Sequence, residues 1–338
     1  MKREQRSNAD SHHTPKPKLK EGGIFKGLLD LLEGVDHVFI QTHNFPDHDA
    51  VASAFALRQL LEMFGVHSTI IYQGSIQRDS LGIFINYLKI PIYNQSEVTL
   101  YESDKILIVD GCKGNKNVTD LSGFEIGVID HHEVAKPDDV PWCDIRPHVG
   151  ACTTLVYSYW EEAGLTPPRE VGTALLVGLL VDTAAMTRGV SREDVTAYSK
   201  LYGIAEMQFV NKLLRNNIQE KDLKYFSDAI SSIEIENSVG FCYLTDGCNQ
   251  NLLGILGDFF LALREVDLVL LCAENNGGIN FSMRSERKKW NASVIMQAIL
   301  EGIGFGGGHG DMAGGIVPHR SSVEPETLRN RLHEACFG

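Results

Sequence analysis

Several features that would assign this sequence to a well-defined class are absent from it. Its apolar stretches are short: the one closest to a membrane span, residues 171–186, falls below the roughly 20 apolar residues that a bilayer requires, and it carries Asp182. The seven cysteines include no Cys-x-x-Cys pair, so we expect reduced, mostly structural thiols in a cytoplasmic protein. The formal net charge of −13 argues against a protein that coats nucleic acid by electrostatic attraction.

The length and the distribution of polar residues predict two domains. Residues 1–23 are polar, rich in Lys, Pro and His, and contain no apolar stretch of the kind found in a signal peptide, so we predict a disordered tail. A chain of 338 residues exceeds one ordinary domain. We place the first domain at 24–215, a linker at 216–228 and a smaller second domain at 229–338.

The first domain has the alternation of strands and helices that is typical of a parallel α/β sheet with helices on both faces. The predicted strands cover residues 37–42, 68–72, 106–109 and 126–129. Ligands of open α/β sheets bind at the carboxyl ends of the strands. Acid or imidazole side chains follow three of these strands, so we expect a binding site at that edge.

The residues at this edge have the chemistry of a metal site. They are His43, Asp47 and Asp49 in one loop, Asp110, the run Asp130-His131-His132, and Asp182 in an apolar helix. Carboxylates with imidazoles suit Mn²⁺ or a similar ion better than Ca²⁺, with Mg²⁺ or Co²⁺ as substitutes. Two such cations in one pocket activate water for attack on a phosphorus ester. We therefore predict metal-dependent phosphoester hydrolysis, with Asp110 as a bridge and His132 as a proton carrier.

Each segment also has a plainer interpretation. The loop around Pro46 could be an ordinary turn in which Asp49 caps the next helix, and His48 is expected to point away from the site. Asp182 is harder to explain without a ligand, because a buried carboxylate without a partner is costly. All four segments together favour the metal site.

The second domain contains candidate donors for a substrate phosphate. They are Ser282, Arg284, Ser285, Gly307, Gly308 and His309. Arginine presents a planar fork to phosphate, and glycine lets backbone N–H groups approach a ligand closely. The glycine run alone could be a flexible turn. The basic cluster at 287–289 is either a solvated face or a contact for further nucleotides.

These residues carry a family resemblance. His43-x-x-x-Asp47-x-Asp49, Asp110, Asp130-His131-His132 and Asp182 resemble the four motifs of the DHH phosphoesterase superfamily, and the region of Ser282–Ser285 and Gly306–His309 resembles its DHHA1 substrate-binding domain. The chain is similar to the nanoRNase/pAp phosphatase branch. One departure is Ala52, where many members have glycine.

The resemblance implies a ligand set and catalytic roles. One Mn²⁺ would be bound by His43, Asp47 and Asp110, and the other by Asp49, Asp110, His131 and Asp182. Asp130 would orient a histidine, so His132, Asp110 and Asp130 are the catalytic candidates. The active site would lie in a cleft between the two domains.

The resemblance also implies the substrates: short oligoribonucleotides, linear dinucleotides and 3'-phosphoadenosine 5'-phosphate (pAp). No membrane or long duplex is an expected partner, and a homodimer is compatible with the family. The alternatives are a cyclic dinucleotide phosphodiesterase, an inorganic pyrophosphatase or an exopolyphosphatase of the same superfamily. A catalytically silent nucleotide-binding regulator is a further alternative, which would be expected to lack some of the metal ligands.

Overall fold

The computed structural model describes residues 19, 21–76, 79–215, 218–275, 277–308, 310–319 and 323–338. It divides into two compact units, one that runs to Arg215 and one that contains the described residues from 218 onward. The tail predicted at 1–23 falls largely outside the described residues. Among those residues, no helix combines the length and the apolar character needed to cross a lipid bilayer.

The described part of the first unit is built on a parallel sheet of six strands. These strands are β1 (His37–Thr42), β2 (His67–Tyr72), β3 (Ile92–Asn94), β4 (Lys105–Val109), β5 (Phe124–Asp130) and β6 (Trp142–Ile145). They lie in the order β3-β2-β1-β4-β5-β6. The order reverses between β1 and β4, and a reversal of this kind opens a crevice at the carboxyl ends of the strands. The predicted parallel α/β sheet is confirmed.

Helices cover one face of this sheet. They are α1 (Ile24–Leu31), α2 (His48–Met63), α3 (Asp79–Leu88), α4 (Cys152–Glu162), α5 (Arg169–Asp182), α6 (Arg192–Tyr202) and α7 (Met207–Arg215). Their buried apolar side chains join one core. The other face is covered by a smaller cluster from non-helical connections, which includes Val118, Leu121 and Val140. Helices on both faces were expected, but the connections that follow β4 and β5 in the structure are non-helical.

The second unit contains a mixed sheet. Its strands are β7 (Glu234–Glu236), β8 (Val239–Leu244), β9 (Leu268–Asn275), β10 (Gly278–Ser285), β11 (Phe305–Gly308) and β12 (Met312–Val317), in the order β11-β12-β10-β9-β8-β7. Only β8 and β9 pair in parallel among these described strands. Helices α8 (Leu223–Ser232) and α9 (Gln250–Leu261) pack on one face, and α10 (Ala292–Leu300) and α11 (Pro325–Phe337) on the other.

Two segments of the second unit differ from the expectation. Within the predicted linker 216–228, residues 216 and 217 lie outside the described part, and helix α8 begins at Leu223. The glycine run forms strand β11 at the edge of the sheet, where Gly307 pairs with Gly314 of β12. A Cβ on Gly308 would lie 2.3 Å from the carbonyl oxygen of Met312, so this close pairing requires glycine.

Candidate metal centre

The loop after β1 places two candidate ligands at the start of α2. Asp47 is the N-cap of this helix, because its Oδ1 accepts hydrogen bonds from the backbone N–H groups of Asp49 (3.0 Å) and Ala50 (3.1 Å). The capping residue is therefore Asp47 and not Asp49, since the helix begins at His48. Asp47 Oδ1 also lies 3.8 Å from His43 Nε2.

Asp110 occupies the centre of the site. It follows β4 with a φ of +58°, in the left-handed region that Asp tolerates better than most residues. Its Oδ2 lies 3.7 Å from His43 Nε2, and its Oδ1 lies 3.4 Å from His131 Nε2. Oδ1 is buried and makes no hydrogen bond within the described part of the chain. One carboxylate thus faces two separate imidazoles, which is the position of a bridging ligand.

The three histidines are oriented by hydrogen bonds from Nδ1. His43 Nδ1 donates to the carbonyl oxygen of Asn44 (2.8 Å), and His131 Nδ1 donates to that of Val149 (3.2 Å). Both rings therefore direct Nε2 at the carboxylates. His132 Nδ1 donates to Asp130 Oδ1 at 2.7 Å. A hydrogen bond of this kind fixes the tautomer of a metal-ligating imidazole.

Asp49 and Asp182 complete the cluster from two helices. Asp49 is almost fully buried and accepts hydrogen bonds from the first N–H groups of α4, those of Cys152 (2.6 Å) and Thr153 (2.9 Å). Asp182 is the last residue of α5, and its Oδ2 lies 3.3 Å from His131 Nε2. A Cβ on Gly178, one turn before Asp182, would lie 3.1 Å from the Cα of Asp49, so glycine lets the two helices approach.

The ligand atoms form three overlapping groups, in each of which all atoms lie within 4.8 Å of one another. The groups are His43 with Asp47 and Asp110, Asp49 with His131 and Asp182, and Asp110 with His131 and His132. The structure thus brings together all the residues predicted as metal ligands. Imidazole and carboxylate donors around the unsatisfied Asp110 Oδ1 fit a divalent metal.

Charge in the cluster is distributed unevenly. Burial lowers the pKa of His43, but the carboxylates of Asp47 and Asp110 outweigh this effect and raise that pKa to about 10. Burial, followed by the charge of Asp110, raises the pKa of Asp49 to about 7. Burial and the charge of Asp49 likewise raise the pKa of Asp182 well above its usual range. Cations would replace the protons that these groups otherwise hold.

In the second unit, Arg284 and Ser282 lie on one face of β10 against α9. Arg284 Nε donates to Asp258 Oδ1 at 2.8 Å, and Nη1 donates to Ser282 Oγ at 3.2 Å. Glycines 254 and 257 of α9 leave room for the guanidinium, because a Cβ on Gly254 would lie 2.8 Å from its Nη2. Gly307, at the edge of the sheet, has open space on its Cβ side.

Ser285 is not brought to this face. Successive residues of a strand point to opposite faces, and the buried Ser285 Oγ donates to the carbonyl oxygen of Trp290 at 2.7 Å. His309 lies outside the described residues. In the basic cluster at 287–289, Arg287 Nε pairs with Asp267 Oδ1 at 3.0 Å, and Lys289 Nζ lies 3.7 Å from the centre of the Trp290 ring.

Sequence reasoning missed the backbone contribution to the metal centre. The carbonyl of Val149 and the amides of Cys152 and Thr153 orient ligands, yet a backbone group leaves no signature in residue type. Gly178 does leave a signal, because an isolated glycine one turn before an acid in an apolar helix indicates close packing.

Two regions of the chain match known protein families. Residues 37–179 match the DHH family, N-terminal domain, and residues 236–335 match the DHHA1 domain. An exopolyphosphatase-related protein from Bacteroides fragilis has a similar fold, with a TM-score of 0.78 and 18% identity over 92% of this chain and 95% of that one.

Two curated relatives illustrate the sequence similarity. An uncharacterized protein of Methanocaldococcus jannaschii is 27% identical over 302 residues, which cover 88% of this chain and 62% of that protein. A probable manganese-dependent inorganic pyrophosphatase of Bacillus cereus is 27% identical over 175 residues, 51% of this chain and 56% of that protein. The chain thus spans less than two thirds of the length of these relatives.

We expect the affinity for Mn²⁺ to increase with pH well beyond the usual titration range of histidine. The raised pKa of about 10 for His43 means that its imidazole holds a proton at neutral pH, and a metal ion must displace it. Titration calorimetry in buffers of different ionisation enthalpy measures the released protons. The exposed His67 is the control, since its replacement by Ala leaves the pH dependence intact. An affinity that is constant between about pH 6.5 and 8.5 contradicts the assignment.

Replacing Asp110 by Asn tests the bridging position. Asn tolerates a positive φ as Asp does and has the same shape, so the fold should persist while the bridging charge is lost. We expect weaker binding of Mn²⁺ and at least about a hundredfold slower hydrolysis of bis-p-nitrophenyl phosphate. Asp222→Asn, at a buried acid of the second unit, is the control. If Asp110→Asn binds Mn²⁺ as the wild type does, the assignment of Asp110 as a bridging ligand is wrong.

Proposed function

The chain belongs to the DHH/DHHA1 phosphoesterase superfamily, whose members are metal-dependent phosphoesterases or exonucleases, and we propose that it uses two Mn²⁺ ions to hydrolyse short oligoribonucleotides and linear dinucleotides. Hydrolysis of pAp is part of the same proposal. The observation that carries it is that two of the ligand groups, His43 with Asp47 and Asp110, and Asp49 with His131 and Asp182, meet at different oxygens of Asp110.

The two groups divide the ligands between two ions. His43, Asp47 and Asp110 would hold one, and the group of Asp49, His131 and Asp182, with the second oxygen of Asp110, would hold the other. Such a pair of cations supplies an activated water and neutralises charge that develops on the phosphoryl group. The protein contributes fixed distances, because backbone groups hold both imidazoles and Asp49.

His132 is suited to move a proton at Nε2. Its Nδ1 is bonded to Asp130, so the proton that can be exchanged with a substrate is on the other ring nitrogen. Burial lowers the pKa of His132, but the hydrogen bond to Asp130 and the charge of Asp110 raise it above its usual value. A protonated imidazole can donate to the leaving oxygen of a phosphate ester.

The second unit contributes phosphate donors of its own. Arg284, held between Asp258 and Ser282, presents a positioned guanidinium. Gly307, which has open space on its Cβ side, pairs with Gly314 of β12, and Gly314 pairs with Ser282 of β10. Phe305, two residues before Gly307 on the same face of β11, is 75% exposed. An exposed aromatic ring on the strand that carries Gly307 supports a substrate that carries a base.

Phe45, at the metal centre, also supports a substrate that carries a base. It lies between His43 and Asp47, is 51% exposed, and has a φ of +54°, a strained conformation for a bulky residue. Its ring covers Gly74, where a Cβ would lie 2.6 Å from the ring atoms. Strain of this kind is retained where function requires it. An aromatic ring at this position favours nucleotides over inorganic pyrophosphate, which has nothing to stack.

A substrate panel tests the proposed function. Mn²⁺-dependent product analysis would compare pAp, linear and cyclic dinucleotides, pyrophosphate, and 5-mer and 24-mer RNA. We expect the short linear substrates to be hydrolysed fastest. Faster turnover of pyrophosphate or of cyclic dinucleotides establishes one of the alternative activities, and binding without any hydrolysis identifies a silent regulator.

Replacing Phe45 by Ala tests the stacking role. We expect KM for a linear dinucleotide to increase about tenfold, since stacking of a base on an aromatic ring contributes about 1–3 kcal/mol. Hydrolysis of bis-p-nitrophenyl phosphate should keep its kcat. Phe124, 45% exposed at the amino end of β5, is the matched control, and its replacement by Ala leaves KM unchanged. Equal effects of the two substitutions contradict the role.

A further inference from the structure

We propose that Asp194 is a positioning residue for one of the two cations, the one assigned to Asp49, His131 and Asp182. This inference rests on the proposed two-metal site and adds a residue outside its ligands. Asp194 is fully buried in the first turn of α6, and it is not among the predicted ligands.

The Asp194 carboxylate makes more contacts than a helix cap requires. Ser191, the N-cap of α6, donates to Oδ2 from its backbone N–H (2.7 Å) and from Oγ (2.6 Å). Gly150 also donates its N–H to Oδ2 at 2.8 Å, and Thr154 Oγ1 donates to Oδ1 at 2.6 Å. The last two contacts come from a segment that lies far from α6 in sequence.

These two contacts fix both ends of the segment 150–154, and that segment orients two ligands. Its interior N–H groups, those of Cys152 and Thr153, bind the carboxylate of Asp49. The carbonyl of Val149, adjacent to Gly150, accepts from Nδ1 of His131. Asp194 therefore acts on Asp49 and His131 through the backbone.

The third ligand of the same group is linked to this network through the chain that follows α5. A Cβ on Gly150 would lie 2.7 Å from the carbonyl oxygen of Gly189 and 2.9 Å from Cγ2 of Thr183, so that segment packs directly on Gly150. Thr183 is the residue after Asp182. Asp194 is thus linked through Gly150 and its neighbours to Asp49, His131 and Asp182, the three ligands of one group.

The other group is held by different contacts. His43 is oriented by the carbonyl of Asn44, and Asp47 is held by the N–H groups at the start of α2. Asn44 is in turn held by Thr119, whose N–H and Oγ1 both donate to its Oδ1. Loss of the Asp194 carboxylate should therefore lower the affinity for one of the two cations and leave the affinity for the other unchanged.

The test is a Mn²⁺ titration followed by the electron paramagnetic resonance of the free ion, with Asp194→Ala and Asp194→Asn in the full chain. We expect Asp194→Ala to weaken one of two binding steps about 10–100-fold, as loss of a group that orients metal ligands does. Asp194→Asn, which can still accept from Gly150 and Ser191, should recover most of the affinity. A purely structural cap would lower thermal stability and leave the ratio of the two binding constants unchanged.

A second variant guards against misfolding of Asp194→Ala. Thr154→Val removes only the contact to Oδ1, and Thr173→Val is its matched control because the buried Thr173 Oγ1 bonds Arg169 and Glu206 away from the ligands. We expect Thr154→Val, and not Thr173→Val, to weaken the same binding step.

The outcomes separate this inference from the proposed function. In an Asp182→Asn background, Asp194→Ala should have no further effect on the remaining site, because both substitutions act on one cation. The role of Asp194 is overturned if Asp194→Ala weakens both binding steps equally or neither of them. It is also overturned if the wild-type protein binds a single ion. Two bound ions with no hydrolysis of any phosphoester overturns the proposed function alone.

Discussion

The first unit is organised around the repulsion between buried carboxylates. Asp49, Asp110 and Asp182 all lie near Nε2 of His131, in a region from which water is largely excluded. Burial, followed by the charge of the neighbouring acids, raises the pKa values of Asp49 and Asp182, and the same acids outweigh burial and raise the pKa of His131 well above its usual value. A site of this kind is costly for stability and suited to cations.

The fold compensates for this cost with backbone dipoles as well as with histidines. The amino end of α4 points two N–H groups at Asp49, and helix termini of this type stabilise negative charge. The reversal of strand order between β1 and β4 brings the His43–Asp49 loop next to Asp110. Arg284 of the second unit, the proposed phosphate donor, is held differently: Asp258 partly neutralises it, and the glycines of α9 leave room for its guanidinium.

Much of the centre was predictable because its ligands follow apolar strands. In a parallel sheet the carboxyl ends of all strands lie at one edge, so acids and imidazoles after β1, β4 and β5 must meet there. Asp182 was recognisable for another reason, as a carboxylate in an apolar helix. The short strands β3 and β6 gave too weak a periodicity to be predicted, and the glycines of β11 favoured a loop over an edge strand.

The sequence by itself determined the chemistry of this protein: which side chains could bind metal, that they share one edge of a sheet, and that the chain resembles the DHH phosphoesterases. The family resemblance also implied a division of these ligands between two ions. Only the tertiary structure decided how side chains that are far apart in sequence approach one another, because such distances depend on the packing of the whole unit. Examples are the separate directions of the two Asp110 oxygens, the pairing of Asp130 with His132, and the contacts of Asp194. Backbone amides and carbonyls complete the site, and they are common to all residues, so residue identity does not reveal them.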